Sequence, residues 1–375
     1  MSALPTEALD ALRDPSISLA AYGKIIDQKT GQEIKYDPFA ITNKLQATVV
    51  SYYSNPPRTD AGQVKWLNLL GYRQGGKSLT GELCGYVKAA YTPGYDHVCI
   101  ADTKDRAEYL HRRVHLMHEN WPSVVRAPTV PNREVRQLSF SQGGKMRILS
   151  GETGAVGIGQ SPDNFHGSEL PYWRDAGTQF SMIYPSIINR DHAHVLLEST
   201  PAPMSMHSAE WWKDQCRNAK RGYGRWVYAF FPFWDGKLNM RAWPRNSALT
   251  NEEIKLLERY GHLGLKKQHL AFRRLMMETD DQIRRNPDLF KVYYPFDDVS
   301  CWIASVGCVF RPDVLKKHEE SSLFEWKAPY MEYEQPQPGA VYVIGADPAG
   351  YASRDHAAFQ VFKIYADEWT QVACF

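Results

Sequence analysis

The chain has 375 residues, 44 of them Lys or Arg and 42 Asp or Glu, for a formal charge of +2. Its 43% apolar and 23% charged content, with 26 Gly and 23 Pro, is that of an ordinary globular protein and argues against disorder, a collagen-like repeat or a coiled-coil rod. No apolar run approaches the ~20 residues that span a bilayer, and the N-terminus lacks a basic start followed by an apolar stretch, so the sequence reads as a soluble intracellular protein.

In chain order, residues 1–39 form a poorly patterned lead-in, and 40–53 (AITNKLQATVVSYY) read as a helix closed by the loop chemistry of SNPPRTDAG (54–62). WLNLL (66–70) is a short apolar run ending in a Gly-rich turn at Gly71. From Ser78 onward Leu79, Leu83, Val87 and Ala90 recur at helical spacing. HVCIA (97–101) reads as a strand, with Asp102 or Thr103 capping a helix whose Ala107, Leu110, Val114 and Met117 share a face. MRILS (146–150) and HVLLES (194–199) are further short strands. This alternation predicts an α/β fold with a mostly parallel sheet flanked by helices.

Beyond residue 200, WVYAFF (226–231) reads as another strand, and Thr250 with Glu253 is a capping box opening a helix near 251–260. Residues 263–285 are helical and basic. QPQPG (335–339) is linker chemistry before VYVIGADPAG (341–350), an apolar strand that stops at an acid. AAFQVFKIYA (357–366) and EWTQVACF (368–375) follow as strand-like runs. The six cysteines are scattered without CxxC pairs and read as reduced thiols, with no structural metal.

The near-zero total charge hides an asymmetry. Residues 1–210 carry 21 basic and 21 acidic side chains, 211–291 carry 17 and 9, and 292–375 carry 6 and 12. Such blocks suggest pieces with different partners.

The strongest motif is Gly71-Tyr72-Arg73-Gln74-Gly75-Gly76-Lys77-Ser78, which fits GxxxxGK[ST] between an apolar strand and an amphipathic helix. Glycines let the backbone curl around phosphates, and the helix start offers free N–H groups and a positive dipole end. Lys77 then reaches the β- and γ-phosphates of ATP, and Ser78 ligates Mg²⁺. Hydrolysis further needs an acid beside the γ-phosphate. Glu169 in NFHGSELPYW (164–173) is the best candidate, although the stretch is a poor strand, Ser168 replaces the usual preceding acid, and a surface turn acid reads nearly as well. LLESTPAP (196–203) ends a strand in Glu198, Ser199 and Thr200, hydroxyls that either sense the γ-phosphate or simply end a strand.

Taken together and in this order, these segments resemble the large subunit of a tailed-phage terminase over roughly residues 40–375. The carriers are GYRQGGKS, VCIADTKDRAEYLHRRV, GSELPYW, LLESTPAP and VYVIGADPAG. The resemblance implies a P-loop ATPase core over 40–210, a small basic linker subdomain over 211–310 and the start of an RNase H-like nuclease over 311–375. It implies that Gln46 contacts adenine, that Arg73 completes the γ-phosphate site, that Glu169 is the catalytic glutamate, and that Ser199 and Thr200 couple hydrolysis to movement. Arg133, Arg136 and Arg147 are candidate fingers toward a neighbouring subunit.

Asp347 matches the first metal-binding acid of the nuclease, with Asp355 a weaker second. Mg²⁺ or Mn²⁺ would serve there, but the chain stops at Phe375 before the remaining acids, so the resemblance implies an incomplete nuclease without endonuclease activity. The implied partners are double-stranded DNA, a portal protein, a small terminase subunit and further copies in a ring on the portal, in the host cytoplasm and with no membrane. Lys266, Lys267, Arg273, Arg274, Arg284 and Arg285, with Trp211, Trp212, Trp226 and Trp234 nearby, are the candidate DNA-contacting side chains. A non-hydrolysing nucleotide-binding assembly module and a helicase-like ATPase are the competing readings.

Overall fold

A computed structural model describes residues 5–26, 31–36, 44–131, 136–153, 161–303, 325–327, 330–332, 334–347, 358–365 and 368–374. The chain divides into two units, Met1–Val306 and Gly307–Phe375. Arg133 and Asp355 lie outside the described residues.

The lead-in is better patterned than its sequence suggests. Helices α1 (Thr6–Arg13) and α2 (Pro15–Tyr22) bury Leu12 and Leu19, with Asp14 capping α2 through the Ser16 N–H. Strands β1 (Lys24–Ile26) and β2 (Glu33–Lys35) pair antiparallel and lead to the buried Tyr36, whose hydroxyl lies 2.7 Å from Thr80 Oγ1. Local periodicity is weak here because each element is short and buries at most three side chains.

Helix α3 (Lys44–Ser54) buries Leu45, Val49, Val50, Tyr52 and Tyr53. There follow β3 (Trp66–Gly71), α4 (Lys77–Tyr91), β4 (Asp96–Ala101), α5 (Lys104–Asn120), β5 (Gln137–Ser139), β6 (Lys145–Ser150), β7 (Asn164–Ser168), α6 (Ala176–Ile188), β8 (His194–Ser199), α7 (Ala209–Lys220) and β9 (Trp226–Phe231). The seven strands form one sheet in the order β5-β6-β4-β7-β8-β3-β9, parallel throughout except for β5.

Alternate side chains of each strand enter opposite cores, as the two-residue period of a strand requires. Leu67, Leu69 and Cys99 join one cluster with α3, α4 and α5, while Trp66, Leu70, Val98 and Ile100 join the other with α6 and α7. Burial on both faces explains why these strands read as unbroken apolar runs. NFHGS, a poor strand by composition, is nevertheless the fully buried β7 between β4 and β8. WVYAFF is the edge strand beside β3, so the sheet continues past residue 210.

The rest of the first unit is helical: α8 (Asn251–Tyr260), α9 (Lys267–Thr279), α10 (Asp281–Arg285) and α11 (Leu289–Tyr293). The Thr250–Glu253 capping box forms at the start of α8. Phe233, Trp234, Tyr260, Phe272, Phe290 and Phe296 make the core of this part. Three of the proposed DNA-contacting side chains form ion pairs within these helices, Arg273 and Arg274 half-buried and Arg284 exposed. Arg274 holds Glu253 with Nε 2.7 Å from Oε1 and Nη2 2.6 Å from Oε2, Arg273 Nη2 lies 2.6 Å from Glu252 Oε1, and Arg284 pairs with Asp281. Trp212 and Trp234 are buried core residues, whereas Lys266, Lys267 and Arg285 are exposed.

In the second unit, β10 (Glu325–Lys327), β11 (Tyr330–Glu332), β12 (Val341–Asp347), β13 (Ala358–Tyr365) and β14 (Glu368–Cys374) form an antiparallel sheet ordered β10-β11-β14-β13-β12. Asp347 is the last residue of β12 and stands opposite Ala358. The strand read as fully apolar leaves Val341 and Ile344 exposed. Among the described residues, no helix is long and apolar enough to cross a membrane.

Candidate functional site

In open α/β sheets, ligands bind beyond the carboxyl ends of the strands. Here the turn after β3 covers residues 72–76 and leads straight into α4. Gly76 caps the helix with φ +80, and a Cβ there would lie 2.3 Å from Gln46 Nε2. Only glycine fits both demands. Gln74 is also left-handed, at φ 61, so the loop is curled rather than extended. Gln46, the expected adenine contact, therefore lies against the loop from α3.

The ends of β7 and β8 supply the acids. Glu169 follows β7 in a left-handed conformation, φ 56 and ψ 47, a strained choice for a non-glycine residue. The bend is held by its own N–H donating to Glu198 O at 2.8 Å and by Trp173 Nε1 donating to Ser168 O at 2.9 Å. The carboxylate thus faces the loop. Its Oε1 lies 3.8 Å from the Lys77 ammonium, and its Oε2 accepts the Ser199 hydroxyl at 2.8 Å. Lys77, Ser78, Glu169 and Ser199 are brought together. Thr200 is buried one residue beyond β8.

Arg73 goes elsewhere. Its backbone N–H donates to Tyr293 O at 2.8 Å, and its guanidinium stacks 4.1 Å from the Tyr293 ring centre, turned toward α11. A second cation beside Glu169, besides Lys77, is Arg106 of α5, with Nη1 3.7 Å from Glu169 Oε1 and Nε 2.9 Å from Asp102 Oδ1. Thr103 caps α5 through the Arg106 N–H and so sets that side chain's position. Burial first, then Glu169, raises the Asp102 carboxyl to about 6 against the pull of Arg106. Arg147 donates to Asp96.

Glu198 occupies the centre. Its Oε1 accepts from Ser78 Oγ at 2.7 Å, and its Oε2 lies 3.8 Å from Lys77 Nζ. Behind it runs a fully buried chain. His166 Nε2 is 3.5 Å from Glu198 Oε1, an ion pair rather than a hydrogen bond, and His166 Nδ1 meets Glu82 Oε1 at 2.6 Å. His97 Nε2 lies 3.1 Å from the same oxygen, and its Nδ1 meets Asn164 at 2.6 Å. Burial alone would strip the His166 proton, yet Glu198 and Glu82 raise it to about 9. Burial likewise opposes both anions, but His97 and His166 hold Glu82 at about 2, and His166 with Lys77 holds Glu198 at about 2. A buried charge is tolerable only when paired in this way.

The sequence reading missed Arg106, Asp102, His166 and Glu82. One signal was present: His97, His166 and Glu198 interrupt apolar strands, and a polar or charged group on a strand buried on both faces requires a partner.

The oxygen donors around Ser78 suit Mg²⁺, a hard cation that prefers carboxylate, hydroxyl and phosphate oxygens. Ser78 is the side chain that would hold it with a nucleotide.

Neither a protein-family model nor a curated protein matches the chain. Among solved structures, the chain is similar to the large terminase of bacteriophage HK97 at 15% identity and TM-score 0.49, covering 96% of this chain and 67% of that one. It is similar to the large terminase of a thermophilic bacteriophage in complex with ADP at 13% identity and TM-score 0.43, covering 88% and 66%. The ATPase domain of the Thermus phage P74-26 large terminase is matched at 18% identity and TM-score 0.38, covering 61% and 90%. The chain thus spans about two thirds of the length of the first two of these proteins, and its resemblance to them is one of fold.

Proposed function

We propose that this chain is an ATP-hydrolysing motor subunit that moves double-stranded DNA, in the manner of a phage large terminase. The observation that carries the reading is the meeting of Lys77, Ser78 and Glu169 at the carboxyl ends of the parallel strands, with Glu169 bent into a left-handed conformation to face the loop. Lys77 binds the β- and γ-phosphates and draws charge from the terminal phosphorus. Mg²⁺ held with the nucleotide at Ser78 would supply further neutralisation of that charge. Glu169, fixed by the Ser199 hydroxyl, orients the attacking water and receives its proton. Arg106, aligned by Asp102, supports the charge on the Glu169 side.

The same Ser199–Glu169 contact ties the β8 terminus to the acid, which supports a coupling role for Ser199 and Thr200. The order of the sequence segments supports DNA packaging as the output, with portal, small subunit and a ring of copies as partners. Exposed Lys266, Lys267, Arg284 and Arg285 are the side chains left for phosphate contacts.

Phosphate release by wild-type, Lys77→Ala and Glu169→Gln proteins, with and without duplex DNA at several salt concentrations, tests this. Both variants should fall by at least about 100-fold, the scale of a lost phosphate-transfer group. DNA should stimulate the wild type, less so as salt rises. A Glu169→Gln protein as active as wild type would remove the assigned base, and turnover indifferent to DNA would remove the motor.

A further inference from the structure

The acid that ordinarily completes a Mg²⁺ shell in a P-loop enzyme sits on a strand beside the loop, and the position before Glu169 holds Ser168. The register of β7 and β8 shows where a carboxylate stands at that level. Ser168 lies directly opposite Glu198, and β8 is one strand nearer the loop.

Both side chains reach the same atom: Ser78 Oγ donates to Glu198 Oε1 at 2.7 Å and receives the Ser168 hydroxyl at 2.9 Å. Glu198 is completely buried, and among the described residues its Oε2 has no hydrogen-bond donor, with the Lys77 ammonium at 3.8 Å. A buried carboxylate oxygen left without a donor is costly unless something cationic completes it. The other nearby acids are already engaged, Glu169 with Ser199, Asp102 with Arg106 and Glu82 with two histidines.

We propose that Glu198, and not Ser168, is the carboxylate that completes the Mg²⁺ shell alongside Ser78 when nucleotide binds. This rests on the phosphate-binding reading of the loop. It moves the acid to the strand that ends in Ser199, so the ion and the catalytic glutamate are both held by β8.

The test is binding of a fluorescent ATP analogue, titrated first in EDTA and then in Mg²⁺, which needs no turnover. In the wild type Mg²⁺ should tighten binding about tenfold or more. Glu198→Gln should keep the EDTA affinity within about threefold but lose most of the Mg²⁺ gain, while Ser168→Ala retains most of it. Ser168→Asp combined with Glu198→Gln, which returns the acid to the neighbouring strand, should restore the gain. A Glu198→Gln protein with the full gain, or a Ser168→Ala protein without it, overturns the proposal and leaves the loop reading intact. A wild type that binds no nucleotide in either buffer overturns the loop reading itself. If Glu198→Gln loses binding even in EDTA, Glu198→Asp decides. Its shorter carboxylate keeps the charge facing His166 and Lys77, and an undiminished Mg²⁺ gain there counts against the proposal.

Discussion

Glu82→Gln removes one charge from the centre of the buried chain and nothing else of its shape. Glu82 Oε1 receives His166 Nδ1 at 2.6 Å and His97 Nε2 at 3.1 Å, and all three side chains are fully buried. His166 is raised from 6.5 to about 9, which at ~1.4 kcal/mol per pH unit corresponds to about 3 kcal/mol. Glu198 and Glu82 both contribute to that raise, so about 3 kcal/mol is the ceiling for the Glu82 share, and the lowering of Glu82 to about 2, which His97 leads and His166 shares, is not added to it. Breaking one side of a buried ion pair costs roughly 3–5 kcal/mol elsewhere, in agreement.

The sign follows from linkage. A histidine raised above 6.5 stabilises fully below 6.5 and loses that contribution as pH climbs through about 9. A carboxyl lowered from 4.5 stabilises fully above 4.5 and loses it as pH falls through about 2. The pair therefore contributes most between pH 4.5 and 6.5. With about 2.1 cal/mol/K of unfolding entropy per residue, a loss of up to about 3 kcal/mol lowers the melting midpoint of the 306-residue first unit by at most roughly 5 °C at pH 6. By pH 9 the gap should shrink to below about 1 kcal/mol. Calorimetry of both proteins in EDTA at pH 6 and pH 9 measures this. A gap under about 1 kcal/mol at pH 6, or one that is equally large at pH 9, refutes the ion-pair account.

Three further outcomes follow from packing, capping and charge. Gly81→Ala should gain up to ~1 kcal/mol of helix propensity yet lose about 1–2 kcal/mol net, because the new Cβ would sit 2.6 Å from His166 Cε1 and 2.9 Å from Leu196 Cδ2; a melting point at or above wild type refutes the contact. Thr103→Ala removes the cap on the Arg106 N–H and should cost about 1 kcal/mol in thermal or denaturant unfolding. Arg106→Ala should lower turnover roughly 10- to 100-fold while nucleotide affinity in EDTA changes little, since Arg106 contacts Glu169 rather than the loop; equal losses in both would place it in binding instead.

What could be read from the sequence is what local chemistry specifies. The loop needs glycine where φ is +80, the Thr250 and Thr103 caps need a hydroxyl followed by a free N–H, and strands buried on both faces must be apolar. Each of these lies within a few residues of its cause. Where a long side chain ends up has a different origin. Arg73 is adjacent to the loop in sequence but stacks on Tyr293, 220 residues later, so its role is decided by where α11 packs. Arg273 and Arg274 supply positive charge in composition, yet α8 presents Glu252 and Glu253 to them.

The acids make the same point more sharply. Ser168 read as a loss because the sequence shows only that the residue before Glu169 has no charge. In a parallel sheet the neighbour across the ladder comes from beyond a crossover helix, here α6, so Glu198 stands beside Ser168 although 30 residues separate them. Helix periodicity and loop motifs cannot report that adjacency, because they measure spacing along one element. What can report it is a polar or charged side chain in an apolar strand: Glu198 in HVLLES, His166 in NFHGS and His97 in DHVCIA are each costly alone in a core without water, and each finds a partner once the strands are ordered β4-β7-β8. The requirement that buried charges pair therefore both orders the strands and joins α4, which carries Lys77, Ser78 and Glu82, to the strand ends that carry the catalytic acid.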